Sequence, residues 1–164
     1  MAGLSSPAPF GPEHSFDEFD CGKAPLNDWL KRHALPSEGK SARTYVVSED
    51  WRVAGYYCLS TGAVLRAQVP GRIRHGLPEP VPILLLGRLA VDLRYARRGI
   101  GSGLLKDAFA RTLATSQIVG ARCLVVHAID DEAMVFYLAY GFREFPQDSK
   151  TLFLPVETIA QALV

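Results

Sequence analysis

The residues best placed to do chemistry lie in the segment YARRGIGSGLL, from Tyr95 to Leu105. It places Gly99, Gly101 and Gly103 beside the adjacent arginines Arg97 and Arg98, directly after the apolar run ILLLGRLAVD. A strand that turns through glycines into a helix presents unpaired backbone N–H groups at the positive end of the helix dipole. Glycines let that backbone approach a ligand closely, so such a turn can hold a phosphate. The segment is not a Walker loop, since no Lys-Ser/Thr follows the glycines. Nor is it the dinucleotide pattern GxGxxG, because its glycines recur every second residue. On its own it fits two readings equally, a diphosphate site and a plain turn with a solvated rim.

The elements around it must supply the strand and the helix. ILLLGRLAV reads as a strand covered on both faces. Leu104, Leu105, Ala108, Phe109, Leu113 and Ile118 recur at helical spacing, which predicts a helix over 101–118. RCLVVHA reads as a second buried strand, where His127 is more often a satisfied core histidine than a base. DDEAMVFYLAYGF predicts a helix that opens on acids and stops at Gly141, with Asp130 as its N-cap. TLFLP is a last strand. Upstream, APLNDWLKRHAL places Leu26, Trp29, Leu30 and Ala34 on one helical face, with Pro25 suited to the first turn. RTYVVSE and RVAGYYCLS flank the polar SEDW and predict a hairpin. Residues 66–82, rich in Pro and Gly, read as a long loop, and residues 1–15 as loose or extended. Strands alternating with helices in the second half imply a partly parallel sheet, hence an α/β or α+β fold. No internal repeat or domain boundary interrupts the chain, so 1–164 is expected to form a single domain.

Composition narrows the class. A chain of 164 residues, 48% hydrophobic and 21% charged, is globular, and its net charge of +1 names no partner. The distribution is more informative. No Asp or Glu occurs from Trp51 to Pro78, where Arg52, Arg66, Arg72 and Arg74 fall, and Arg88, Arg94, Arg97 and Arg98 follow. This basic middle suits a polyanion, or is a solvated face. Cys21, Cys58 and Cys123 are too widely spaced for a zinc site or a disulfide frame and fit a reducing cytosol. No apolar run approaches the ~20 residues of a membrane span, and the first residues lack a signal-peptide pattern. The expectation is a cytoplasmic protein without a metal and without membrane attachment.

In order and spacing, LAVD, YARRGIGSGLL, a buried strand and then FYLAYGF resemble the GNAT superfamily of acetyl-CoA-dependent N-acetyltransferases. FDCGKAPLNDWL, SARTYVVSED, VAGYYCLSTGAV and RIRHGLPEPVPILLLGRLAVD extend the likeness over nearly the whole chain. They resemble the GNAT toxins of bacterial type II toxin–antitoxin systems in particular. That resemblance implies the GNAT fold, a mixed, centrally splayed β-sheet flanked by helices. It implies acetyl transfer from acetyl-CoA to the α-amine of aminoacyl-tRNA, which blocks translation, an antitoxin of ribbon-helix-helix type, and a homodimer. A small amine or a protein N-terminus is the alternative acceptor within the same fold, and a CoA-binding module without turnover is the non-enzymatic alternative.

Residue by residue, the resemblance places Gly99 and Gly101 on the family's two loop glycines. Arg97, Arg98, Gly99, Ile100, Gly101 and Ser102 would then hold the diphosphate. The alternative register starts at Arg98 and uses Gly101 and Gly103. Ala96 stands where the family has Gln or Arg, so that side chain's bracing is missing. Leu89, Ala90 and Val91 would hold the pantetheine arm, with a backbone N–H near Val91 donating to the oxyanion. Tyr137 matches the family tyrosine that protonates the leaving thiolate. A thiol's pKa is about 8.5 and a tyrosine's about 10, so the phenol can donate to sulfur as charge develops there. Tyr140 is read as packing. The α-amine of an aminoacyl ester is weakly basic, and the sequence offers no compelling base for it. Arg72, Arg74 and His75 are the candidate tRNA contacts, extended by Lys31, Arg32, Lys40 and Arg43.

Overall fold

The elements follow from short local rules. In this computed structural model, which describes residues 3–162, β1 (Ala8–Pro9) precedes α1 (Ala24–Arg32), α2 (Ala34–Ser37), β2 (Arg43–Glu49) and β3 (Arg52–Val64). Then come α3 (Gly71–Arg74), β4 (Val81–Val91), α4 (Ile100–Ser116), β5 (Cys123–His127), α5 (Asp131–Ala139), β6 (Arg143–Phe145), β7 (Asp148–Pro155) and α6 (Val156–Ala162). The seven strands are ordered β1-β2-β3-β4-β5-β7-β6. β1, β2 and β3 are antiparallel, β4 and β5 parallel, and β5, β7 and β6 antiparallel. The result is a mixed sheet with flanking helices, as expected.

The described residues group into two compact units, one reaching to Ser60 and including Gly87–Ala108, the other Thr61–Leu86 and the residues from Phe109 onward. In the first, the β2–β3 hairpin turns on Asp50 and Trp51, at φ 49° and 66°. Two left-handed central residues match the right-handed twist of the flanking strands. The N-terminal segment is extended and tied to the hairpin. Ser5 donates to the Ser48 carbonyl at 2.7 Å, Phe10 to that of Thr44 at 2.9 Å, and Ser15 to that of Trp51 at 2.7 Å. α1 has Pro25 in its first turn and buries Leu30; Ala34, opening α2, is fully covered too. These side chains join Phe10, Phe19, Val46, Tyr56 and Ala90 in one core.

Helix α4 starts against β3, where no side chain fits beneath it. A Cβ added to Gly55 would lie 2.9 Å from Ile100 Cγ2, 3.0 Å from Leu104 Cδ1 and 3.2 Å from the Ala90 carbonyl oxygen. The Tyr57 hydroxyl bonds Asp107 at 2.6 Å, tying a later turn of α4 to the same strand.

In the second unit the parallel ladder pairs Ile83–Leu86 with Cys123–Val126, and β4 runs on to Val91. Its core gathers Val69, Val81, Ile83, Val125, Phe145 and Phe153. Three sequence expectations are revised. Residues 66–82 are not a bare loop. They carry a 3-10 turn (Arg66–Gln68) and α3, held because the Arg74 guanidinium donates to the carbonyls of Arg66, Ala67 and Val69. Ile118 is 84% exposed, because α4 stops at Ser116 before the apolar pattern runs out. His127 is exposed at the end of β5. The N-terminal segment takes the extended form among the two expected, because it pairs with β2.

A methyl group at Gly55 therefore has to displace Ile100 or Leu104. Gly55→Ala is expected to lower stability by about 1–3 kcal/mol, the usual range for overpacking. At Gly103 an added Cβ meets nothing within 4 Å, so Gly103→Ala is expected to be neutral or stabilising by up to ~1 kcal/mol. Urea denaturation of the two variants checks the contrast.

Candidate active site

At the end of β4, Leu89 and Val91 are half-buried and Ala90 is buried. The chain turns at Asp92, whose side chain is 1% exposed. Its carboxylate accepts from the backbone N–H groups of Asp20 at 3.1 Å and Arg94 at 2.8 Å. It also accepts from Arg94 Nε at 3.1 Å and Nη2 at 3.0 Å. Burial pushes the acid's pKa up, but the Arg94 side chain and the two amides outweigh it and hold the pKa below the usual carboxylate value. Asp20 is fixed in turn, its carboxylate accepting from the Gly22 N–H at 2.8 Å and Asn27 Nδ2 at 3.0 Å, bonds that lower its pKa as well. Leu93 donates back to the Asp20 carbonyl at 2.9 Å. The strand end is thus bolted to the segment that leads into α1.

From this corner the chain makes a 3-10 turn (Leu93–Tyr95) and enters the glycine loop. Tyr95 is buried and its hydroxyl donates to Glu49 Oε1 at 3.0 Å, with the Arg98 guanidinium 5.4 Å from its ring centre. Ala96 has only a methyl group, so the loop is braced by its neighbour Tyr95 instead. Arg97 and Gly99 are left-handed, at φ 62° and 78°. Arg97, Arg98 and Gly99 are exposed, whereas Ile100 turns inward over Gly55. The Gly99 carbonyl accepts from the Gly103 N–H at 3.0 Å, the first bond of α4. The N–H groups of the residues that open a helix have no partner inside it, and here they follow an exposed loop with two guanidinium groups on its rim. The arrangement provides what a diphosphate needs.

Tyr137 lies in the second unit. Asp130 caps α5 as expected, accepting from the Ala133 N–H at 2.9 Å. Asp131 and Glu132 occupy the first turn, where the helix dipole favours acids. Two turns along, Tyr137 is 4% exposed, its ring edge-on to Phe136 at 5.2 Å and to Phe142 at 5.4 Å. Tyr140 is half-buried at the helix end, packed against Phe136 at 5.2 Å. Arg72 and His75 are exposed on and beside α3, and Arg74 is engaged with the loop carbonyls. Lys31, Arg32, Lys40 and Arg43 are exposed in the first unit, Arg43 paired to Glu38 at 3.2 Å. Among the described residues, no group of three or more His, Cys, Asp or Glu could hold a metal ion, and no helix is long and apolar enough to cross a membrane.

Two features escaped the sequence reading. Asp92 was visible only as the last letter of LAVD, although Asp92 and Arg94 two residues on are the local signature of a capped turn. The other is the exposure of His127, whose Nδ1 lies 2.9 Å from Thr151 Oγ1.

Residues 40–144, more than half of the chain, match the family described as "Acetyltransferase (GNAT) domain". The chain belongs to the GNAT acetyltransferases. Acetyl-CoA is accordingly its co-substrate. A curated relative, the tRNA-acetylating toxin of Mycobacterium tuberculosis (strain ATCC 25618 / H37Rv), is 39% identical over 165 aligned residues, covering 100% of this chain and 99% of the relative. Among solved structures, a tyrosine-to-phenylalanine mutant of KacT is 29% identical with a TM-score of 0.90, covering 97% of this chain and 98% of its own. AtaT complexed with acetyl-methionyl-tRNAfMet is 27% identical with a TM-score of 0.90, covering 99% and 100%. AtaTR bound with acetyl-CoA is 28% identical with a TM-score of 0.86, covering 98% of each chain.

The loop geometry can be tested without substrate. A Cβ at Gly99 meets no atom within 4 Å, so any penalty there comes from the left-handed backbone. That conformation costs an L-residue ~1–2 kcal/mol. Gly99→Ala is expected to weaken acetyl-CoA binding about tenfold or more in calorimetry, because relief of the strain moves the donors.

Proposed function

We propose that this chain is a toxin-type N-acetyltransferase that moves the acetyl group of acetyl-CoA to the α-amine of aminoacyl-tRNA and so blocks translation. The observation that carries the reading is the full-length likeness to a relative named as a tRNA-acetylating toxin, with coverage of 100% of this chain. The structure of AtaT with acetyl-methionyl-tRNAfMet supports it, since that likeness also spans nearly both chains. The whole chain acts as one acetyltransferase domain.

In this mechanism the backbone of Arg97–Ser102 holds the diphosphate. The end of β4, Leu89 to Val91, holds the pantetheine arm, and an N–H near Val91 stabilises the oxyanion. The amine attacks the thioester carbonyl, the C–S bond breaks, and the Tyr137 hydroxyl protonates the departing thiolate. Relatives solved as tyrosine-to-phenylalanine mutants, KacT and AtaT, support a special place for a tyrosine in this group. Arg72 and His75 approach the acceptor arm's phosphates from α3. Arg74 acts by shaping that segment, since its guanidinium already serves three loop carbonyls. The partner is an antitoxin, as in the structures of AtaT with the C-terminus of AtaR and of KacTA with DNA; we assign it a ribbon-helix-helix fold. The enzyme works in the cytoplasm, where charged tRNA is found, as a homodimer.

Incubation with labelled acetyl-CoA and total charged tRNA tests the reading. Label should appear in N-acetyl-aminoacyl-tRNA and be absent when the tRNA is deacylated first; label only in free amines or protein would refute it. Tyr137→Phe should lower turnover by ~10²–10⁴-fold while leaving acetyl-CoA affinity near wild type, since the lost donor acts in the transition state. Tyr140→Phe should stay active. The reverse pattern would move the acid to Tyr140.

A further inference from the structure

The described chemistry accounts for the proton delivered to sulfur and leaves the proton shed by the amine without a destination. One cluster outside the cofactor loop fits that need. His127 ends β5, directly after Val126, whose pairing with Leu86 is the last in the parallel ladder. Its Nδ1 lies 2.9 Å from Thr151 Oγ1, and Thr151 Oγ1 donates to Asp148 Oδ2 at 2.6 Å. Thr151 is 9% exposed on β7, directly opposite His127 in the ladder.

The hydrogen count fixes the imidazole tautomer. A threonine hydroxyl has one hydrogen, and here it goes to Asp148. Asp148 is an acceptor, its pKa held below the usual carboxylate value first by the Thr151 hydroxyl and then by the Lys150 N–H. Thr151 Oγ1 must therefore accept from Nδ1–H. In the neutral ring the lone pair is then on Nε2, at the exposed end of the side chain. Lys150 Nζ pairs with Asp131 at 3.5 Å, and Asp130 is used in capping α5. Asp148 is the carboxylate coupled to the ring. An oriented histidine backed by a hydroxyl and a carboxylate follows the logic of a hydrolase triad, with a threonine inserted between acid and base.

We propose that His127 Nε2 is the proton acceptor of the transfer reaction, with Thr151 and Asp148 as its positioning residues. The inference rests on the acceptor proposed above, a weakly basic α-amine. The neutral amine attacks the acetyl carbon, and the C–S bond breaks as Tyr137 gives its proton to the thiolate. The cationic nitrogen so formed loses its proton to Nε2, leaving an amide, free CoA thiol, imidazolium and phenolate. The imidazolium then returns its proton to the phenolate, directly or through water, and the enzyme is reset. The Asp148 charge, relayed through Thr151, stabilises the imidazolium meanwhile.

The test uses full-length protein and charged tRNA. His127→Asn keeps a side-chain N–H that can reach Thr151 but has no basic nitrogen. It should lower kcat to the lower end of the ~10²–10⁴-fold range for general bases, with acetyl-CoA affinity unchanged and the deficit shrinking as pH rises and solvent takes the proton. His127→Ala should regain activity with added imidazole. Thr151→Val should lose part of the activity, and Thr151→Ser should restore it. Wild-type kcat in His127→Asn at every pH, or a His127→Ala defect that imidazole does not relieve, overturns the proposal. Failure of the wild-type protein to acetylate charged tRNA overturns the acceptor reading and this inference with it, whereas an active wild type with an equally active His127→Asn overturns this inference alone.

Discussion

The structure depends on one buried carboxylate. Asp92 stands where a strand covered on both faces must stop and turn into an exposed loop. The turn is directed by Asp92, the first polar residue after the strand. Its two oxygens take two backbone N–H groups and two guanidinium donors. A buried ionised acid would be costly alone. With four donors it stays charged and fixes the backbone on both sides. On one side it holds the Asp20 amide, and on the other it fixes Arg94 within the turn leading to Gly99 and α4.

The remaining geometry follows in sequence. Tyr95 is pinned through Glu49, so the loop leaves the corner in one direction. Gly99 takes the left-handed conformation that ends the loop, and Ile100 and Leu104 seat α4 on Gly55. The unpaired N–H groups at the helix start are thus rigid donors, and rigidity is what lets them favour a phosphate without an ordering cost at each binding event. In the second unit, α5 packs the Tyr137 ring edge-on against Phe136 and Phe142.

The sequence was most readable where the signal is local. The β2–β3 hairpin, the two-sided strand β4, the Pro25 start of α1 and the Asp130 cap all depend on residues within one turn or strand. The glycine spacing exposed the loop, whereas the proposal that it holds the cofactor needed the family resemblance. What the sequence hid is long-range. Asp92 reaches an amide 72 positions away, and the threonine opposite His127 is 24 positions away. The apolar pattern around VVHA suggested burial for His127, but it ends the strand and is exposed. Ile118 continued a helical pattern past the helix end for the same reason, that periodicity does not announce where an element stops. β1 and β6 have two and three residues, too few for alternation to register.

The central claim is that Asp92 sets the loop that holds acetyl-CoA, although it is not itself among the loop's donors. Calorimetric titration of Asp92→Asn with acetyl-CoA tests this most directly. The substitution removes the charge while keeping the size, and a hydrogen bond to a charged group contributes about 1.5–3 kcal/mol. The expected result is a folded protein whose affinity for acetyl-CoA falls about tenfold or more. A folded Asp92→Asn protein that binds acetyl-CoA as tightly as wild type would contradict the account.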